Sequence, residues 1–137
     1  LEADDVMGII ATHPDNEGKT IIISDDKDMR TIPCHLYRPM NGEETVISKK
    51  DADLWFLTQC LVGDPTDGFK GCPTIGIKTA EKILGPRPDW SSVEQAYSKQ
   101  GISKVDAITQ SRMARILRFE DWDMKTQTIK LWSPVVR

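Results

Sequence analysis

Apolar residues fall along this chain in short groups whose spacing changes between a helical and an extended rhythm. Val6, Ile9 and Ile10 recur at helical spacing behind the acidic Glu2, Asp4 and Asp5. They predict a helix over residues 1–12 with that stripe turned to a core. Residues 13–18 (His-Pro-Asp-Asn-Glu-Gly) read as a polar turn. Residues 20–24 hold three consecutive isoleucines, the pattern of a buried parallel strand. The strand runs into Asp25-Asp26-Lys27-Asp28, so an acidic cluster stands at its carboxyl end, where open α/β sheets place their sites. Residues 31–37 and 45–48 are further extended runs with Gly42 in the turn between them. Residues 49–62 read as a helix and 63–76, rich in Gly, Pro, Asp and Thr, as a loop. Helices follow over 77–84, 91–99 and 103–119, the last two opened by serine caps, and 126–132 reads as a final strand. The fold class is α/β.

With 137 residues, 39% of them hydrophobic, the chain can bury a core. No apolar run is long enough to cross a membrane, and the opening residues lack a secretory pattern. The chain begins at Leu1 rather than Met and reads as a piece of a longer protein. Cys34, Cys60 and Cys72 are odd in number and widely spaced, which argues against a disulfide framework or zinc knuckle. Three buried thiols and a reducing cytoplasm are expected. Charge is divided: residues 1–67 carry a net −8 and residues 68–137 a net +5, within a total of −3. An acidic half suits cations and a basic half suits a polyanion.

Three acidic clusters stand at element boundaries: Glu2-Ala3-Asp4-Asp5, Asp25-Asp26-Lys27-Asp28, and Gly63-Asp64-Pro65-Thr66-Asp67-Gly68. Each alone is explained by a cap or a turn. The second does not make an EF-hand loop, since it lacks the glycine and glutamate at the required positions. Together they form what a hard cation needs. Mg²⁺ and Mn²⁺ prefer carboxylate oxygens, and a pair of such ions stabilises both oxygens of a phosphodiester displacement. A site this acidic repels phosphate unless cations are bound. The loop continues as Gly71-Cys72-Pro73-Thr74-Ile75-Gly76-Ile77-Lys78-Thr79-Ala80. Gly76 before a helix offers backbone N–H groups to a DNA phosphate, with Lys78 and Thr79 adding charge and a hydroxyl. Gly76 is expected to need a backbone that only glycine tolerates.

These blocks resemble the metal-dependent 5′ nucleases, the flap endonuclease and 5′→3′ exonuclease family, with bacteriophage-type exonucleases and the 5′-nuclease domain of bacterial DNA polymerase I as the nearest comparisons. The first cluster matches the family's Glu-Ala-x-Asp-Asp. The second matches Ser/Thr-x-Asp-Lys-Asp, which selects Asp26 and Asp28 over Asp25. The third matches Gly-Asp-x-x-Asp-Asn with Gly68 in place of Asn. Residues 71–80 match the helix–hairpin–helix, with Thr74 where the family often has glycine. The match is good over residues 1–84 and weak beyond, where the tail 130–134 is phage-like.

The resemblance implies a partial PIN-like fold. Residues 1–62 would be the C-terminal portion of the catalytic core, and residues 63–137 a helix–hairpin–helix with a helical tail. It implies Glu2 and Asp4 on a first Mg²⁺ or Mn²⁺ with Asp5 close by, and Asp26, Asp28, Asp64 and Asp67 around a second. Lys70, Gly71, Gly76, Lys78 and Thr79 would hold duplex DNA, with K⁺ at the hairpin. The family's first strand, N-terminal aspartates and basic arch have no counterpart here. The chain would then be the C-terminal half of a 5′→3′ exonuclease used in DNA replication, nearly inactive without its N-terminal half, in the cytoplasm of a host if phage-encoded. The alternative is a non-catalytic DNA-binding module that retains a metal site. His13 and His35 are expected in turns or at the surface, and the four tryptophans in packing. Arg112, Arg115 and Arg118 are expected as a basic stripe along one helix.

Overall fold

The computed structural model describes residues 1–134. Its elements are α1 (Ala3–Thr12), β1 (Ile22–Ile23), β2 (Cys34–Arg38), β3 (Glu43–Ile47), α2 (Lys49–Val62), α3 (Ile77–Leu84), α4 (Trp90–Lys99), α5 (Lys104–Ala114), β4 (Trp122–Asp123) and β5 (Thr128–Ile129). Single 3₁₀ turns lie at Pro14–Asn16, Lys27–Thr31 and Phe119–Asp121. The mixture of helices with small sheets is the expected α/β class. The chain forms two compact units, residues 1–53 with 116–131, and 54–115 with 132–134.

The first unit holds a sheet in the order β1-β2-β3. β1 pairs parallel to β2, with Ile22 opposite Leu36, and β2 pairs antiparallel to β3 around the turn that contains Gly42. The triple isoleucine is a strand, but a short one at the sheet edge. Ile22 is buried while Ile21 and Ile23 remain 45% and 62% exposed. Met29, Ile32, Leu36, Ile47 and Ala52 close the core around Ile22, with Met7 and Ala11 of α1 packed against it. Each fully buried aliphatic side chain of this kind contributes about 1.5–3 kcal/mol. The stripe expected to face inward on α1 is rotated: Ile9 is buried, but Val6 and Ile10 are exposed. The cause is Gly8, where a Cβ would collide with the Leu117 carbonyl. Glycine there lets the returning chain lie against α1 and turns Met7 and Ala11 to the core.

The second unit is helical. Phe56, Leu57, Cys60 and Leu61 of α2 pack with Leu84 of α3, Val93 and Tyr97 of α4, and Ala107 of α5. The Tyr97 hydroxyl donates to the Cys60 carbonyl at 2.6 Å, so the buried phenol is satisfied. α2 and α3 have the bounds expected from the sequence. α4 starts one residue earlier, because Asp89 rather than Ser91 is its cap: the Asp89 carboxylate accepts from the Ser92 N–H. α5 is capped by Ser103 as expected but stops at Ala114, not Phe119. The arginine stripe therefore does not form. Arg112 donates from Nε to the Trp132 carbonyl at 2.9 Å, and Arg115 lies 5.0 Å from the Phe56 ring centre. Arg118 is buried in the first unit at 3% exposure. The final strand is reduced to β5, paired with β4.

Candidate functional site

The acidic residues of the first unit are displayed by two helical starts. Glu2 is exposed at the start of α1, and Asp4 and Asp5 are half-buried in its first turn, where carboxylates favour the helix dipole. Asp5 is spoken for: one oxygen accepts from the Glu2 N–H at 3.3 Å, the other from the Leu117 N–H at 3.1 Å. At the carboxyl end of β1 the adjacent aspartates have different tasks. Asp25 accepts from the Met40 N–H through Oδ1, and its carbonyl accepts from Arg38, so it ties down the β2–β3 turn. Asp26 caps the 3₁₀ turn Lys27–Thr31 by accepting from the Asp28 N–H at 2.9 Å. The cap leaves Asp26 Oδ2 outside that bond.

In the second unit the loop after α2 is folded on itself. Asp64 and Phe69 exchange both backbone hydrogen bonds, at 2.9 and 3.2 Å. Asp64 is 8% exposed, and its Oδ1 accepts from the Thr66 N–H. The Asp67 N–H donates to the Asp64 carbonyl, which holds the two residues on one side of the turn. A carboxylate oxygen of Asp64 lies within 4.8 Å of one of Asp67. Two carboxylates at that separation can both reach one ion at the 2.0–2.6 Å bond lengths of hard cations. Their all-oxygen chemistry fits Mg²⁺ or Mn²⁺ rather than a thiolate-seeking metal.

The loop's base is a close contact between two glycines. Gly63 and Gly71 have φ of +74° and +69°, and a Cβ on either would strike the backbone of the other strand of the loop. The Cys72 N–H donates to the Leu61 carbonyl, and the Gly71 N–H to Gln110 Oε1 at 3.0 Å. Gln110 on α5 has no signature in the sequence, because its partner lies 39 residues away. Lys70 is exposed just before this contact. Gly76, Lys78 and Thr79 are exposed at the start of α3, where Gly76 is the cap residue. Gly76 itself has φ −97°, and a Cβ there meets nothing within 4 Å. The expectation that Gly76 needs a glycine-only backbone is thus corrected: that requirement belongs to Gly63 and Gly71.

Thr74 carries the strain instead. Its φ is +64°, an unfavourable region for a β-branched residue. Thr74→Gly should stabilise the protein by about 1 kcal/mol, because relief of about 1–3 kcal/mol of strain outweighs glycine's greater freedom when unfolded. Urea denaturation measures it, and a loss of stability would show that the Thr74 side chain contributes more than its backbone costs.

Other nucleophile and base candidates are occupied. His13 Nδ1 accepts from the Asp15 N–H, and His35 Nε2 lies 2.6 Å from Glu44. The three cysteines are free thiols. Burial pushes Cys34 up to about 11 and raises Cys60 and Cys72, so none is a ready thiolate at neutral pH. Trp132 packs edge-on against Phe56 and Trp90 at 5.1 Å, a packing role as expected. Among the described residues no helix is long and apolar enough to cross a membrane.

The chain is similar to the exodeoxyribonuclease of Enterobacteria phage T3 and the exonuclease of Escherichia phage T7. It is 34% identical to each, over 98% of this chain and 56% of the relative. It is also 32% identical to a 5′-3′ exonuclease of Buchnera aphidicola, over 79% of this chain and 40% of that protein. The chain thus spans about half the length of the curated relatives it matches. No family model matches it.

Proposed function

The chain belongs to the phage-type 5′ nuclease family, and from that premise we propose that it forms part of a 5′→3′ exonuclease acting on duplex DNA. The observation that carries this reading is the convergence of the Asp64 and Asp67 carboxylates in the loop 63–71, followed along the chain by a helix start at which Lys78 and Thr79 are exposed. Within one unit the chain thus carries two carboxylates suited to a cation and, further along, a helix start suited to phosphates. In this reading Asp26, Asp28, Asp64 and Asp67 hold one divalent ion, and Glu2 and Asp4 hold another with Asp5 nearby. Asp5 acts mainly by shaping the start of α1. When bound, the ions supply Lewis-acid stabilisation of the oxygens that attack and leave phosphorus. The chain's own residues bind and orient. The carboxylates fix the ions, while Lys70, Lys78, Thr79 and the amides near Gly71 and Gly76 hold the DNA backbone without reading bases. K⁺ on hairpin carbonyls would add to that grip.

By role, residues 1–62 belong to a PIN-like catalytic core and residues 63–137 to a helix–hairpin–helix with its helical tail. The phage relatives and the acidic and hairpin blocks in order support both assignments. The remaining carboxylates and the contacts that draw in a 5′ end would come from the part of the relatives that this chain does not span.

The test is reconstitution. Alone, residues 1–137 should release almost no nucleotide from 5′-labelled duplex, since misplacement of catalytic groups by about 1 Å can cost about a hundredfold. Joined to a polypeptide supplying the remaining part of its relatives, the chain should give Mg²⁺-dependent release, abolished by Asp26→Ala. Activity of the joined protein that survives Asp26→Ala would overturn the assignment. Duplex binding with no cleavage even when joined would favour a non-catalytic binding module.

A further inference from the structure

We infer that Arg118 is a positioning residue which, with Asp53, fixes the turn that carries Asp26 and Asp28. The inference rests on the proposed metal-binding role of those aspartates. Arg118 enters the first unit from the segment that follows α5, and it is among the most buried charged residues described, at 3% exposure. Its Nη1 donates to Asp53 Oδ1 at 2.7 Å and its Nη2 to the Thr31 carbonyl at 2.8 Å. Thr31 ends the 3₁₀ turn Lys27–Thr31, and its hydroxyl donates to the Asp28 carbonyl at 2.9 Å. The guanidinium is thus two hydrogen bonds from the Asp28 backbone. A cation on the last carbonyl of a helical turn is also the favourable electrostatic arrangement.

The rest of the turn is held at its other end and underneath. Asp26 caps the start, and Met29 and Ile32 are fully buried below. Asp53 is set to receive Arg118. Burial pushes its carboxyl up, but the hydrogen bonds and charges of Arg118 and Lys49 outweigh this and hold it below the ordinary carboxylate range. The residues flanking Arg118 hold the other acidic segment. The Leu117 N–H donates to Asp5, and the Phe119 N–H donates to Thr12 Oγ1 at 2.7 Å. One three-residue stretch therefore braces both α1 and the Asp26–Asp28 turn.

An ion pair between a buried guanidinium and a carboxylate that is still 41% exposed adds little net stability. What the planar fork of arginine supplies is direction: two donors at a fixed angle, one on a carboxylate and one on a carbonyl. Lysine can satisfy one of these acceptors but not both in that geometry. Direct outer-shell partners of metal ligands are commonly worth about 10–100-fold in metal affinity, and a brace acting one hydrogen bond further out, on the Asp28 backbone, falls at the lower end of that range.

The experiment is Mn²⁺ calorimetry on the full chain, comparing wild type with Arg118→Met, Arg118→Lys and Leu84→Ala. Leu84 is buried in the second unit, so its variant is a control for stability loss without loss of the brace. Amide exchange at Ile32, whose N–H donates to the Met29 carbonyl, is read in the metal-free proteins. Arg118→Met should weaken Mn²⁺ binding roughly tenfold and speed Ile32 exchange. Arg118→Lys should recover part of both, and Leu84→Ala should bind Mn²⁺ as wild type does. Wild-type Mn²⁺ affinity in folded Arg118→Met, or an equal loss in Leu84→Ala, would overturn the inference. If Arg118→Met fails to fold, Arg118→Lys and Asp53→Asn replace it under the same criteria. If wild type itself binds no Mn²⁺, the metal reading fails, and the exchange result alone decides whether Arg118 holds the turn.

Discussion

Replacing Asp64 and Asp67 together by asparagine should lower the affinity of the chain for Mn²⁺ about a hundredfold, or about 2.8 kcal/mol. Asparagine keeps the shape and the Oδ1 acceptor, so the bond from the Thr66 N–H to residue 64 survives and the loop stays folded. What is lost is two negative charges and two strong oxygen ligands that lie within reach of one ion. Calorimetry with Mn²⁺ on both proteins measures the effect, and matching thermal unfolding curves without metal would show that the fold is retained. Zn²⁺ should be the poorer occupant, because the donor set has no imidazole or thiolate. Equal Mn²⁺ binding by wild type and the double variant would sink the assignment.

Gly71→Ala should destabilise the protein by about 3 kcal/mol or more, lowering the melting temperature by roughly 10 °C. Two costs add. An alanine at φ +69° sits in the left-handed region, which costs about 1–2 kcal/mol. Its Cβ would also meet the Gly63 backbone and come within 2.7 Å of the Leu61 carbonyl, and none of these are flexible side-chain atoms that could move aside. The loop would have to open, breaking the Cys72–Leu61 bond and withdrawing the Gly71 N–H from Gln110. Gly76→Ala is the matched comparison. It adds the same methyl group at φ −97° in open space and should change stability by less than about 1 kcal/mol. Equal losses from the two substitutions would show that the contact between Gly63 and Gly71 does not hold the loop.

Much of this protein was legible in its sequence because the information was local. The bounds of α2 and α3, the Ser103 cap and the Gly42 turn each depend on neighbours in the chain. The order of the acidic blocks and the glycine-rich loop likewise pointed to the nuclease family that the phage relatives then supported. Selecting Asp26 and Asp28 over Asp25 came from the block's pattern. In the structure Asp25 accepts from the Met40 N–H and Asp26 from the Asp28 N–H.

Other features were decided only by contacts between distant segments. Nothing near Arg118 in the chain marks it as buried, because Asp53 is 65 residues away and Thr31 is 87. Periodicity alone continued α5 to Phe119, whereas packing ended it at Ala114 so that the chain could return to α1. The exposure of Val6 and Ile10 follows from the carbonyl of Leu117 lying against Gly8. Which glycine is indispensable was also a tertiary matter: Gly63, Gly71 and Gly76 look alike in sequence, and only the approach of two backbones separates them. Residue type, spacing and order determined the elements and the chemistry available to them. The tertiary structure decided which face of each element is buried and which side chain is free to bind, because burial and hydrogen-bond satisfaction depend on whatever segment folding brings alongside.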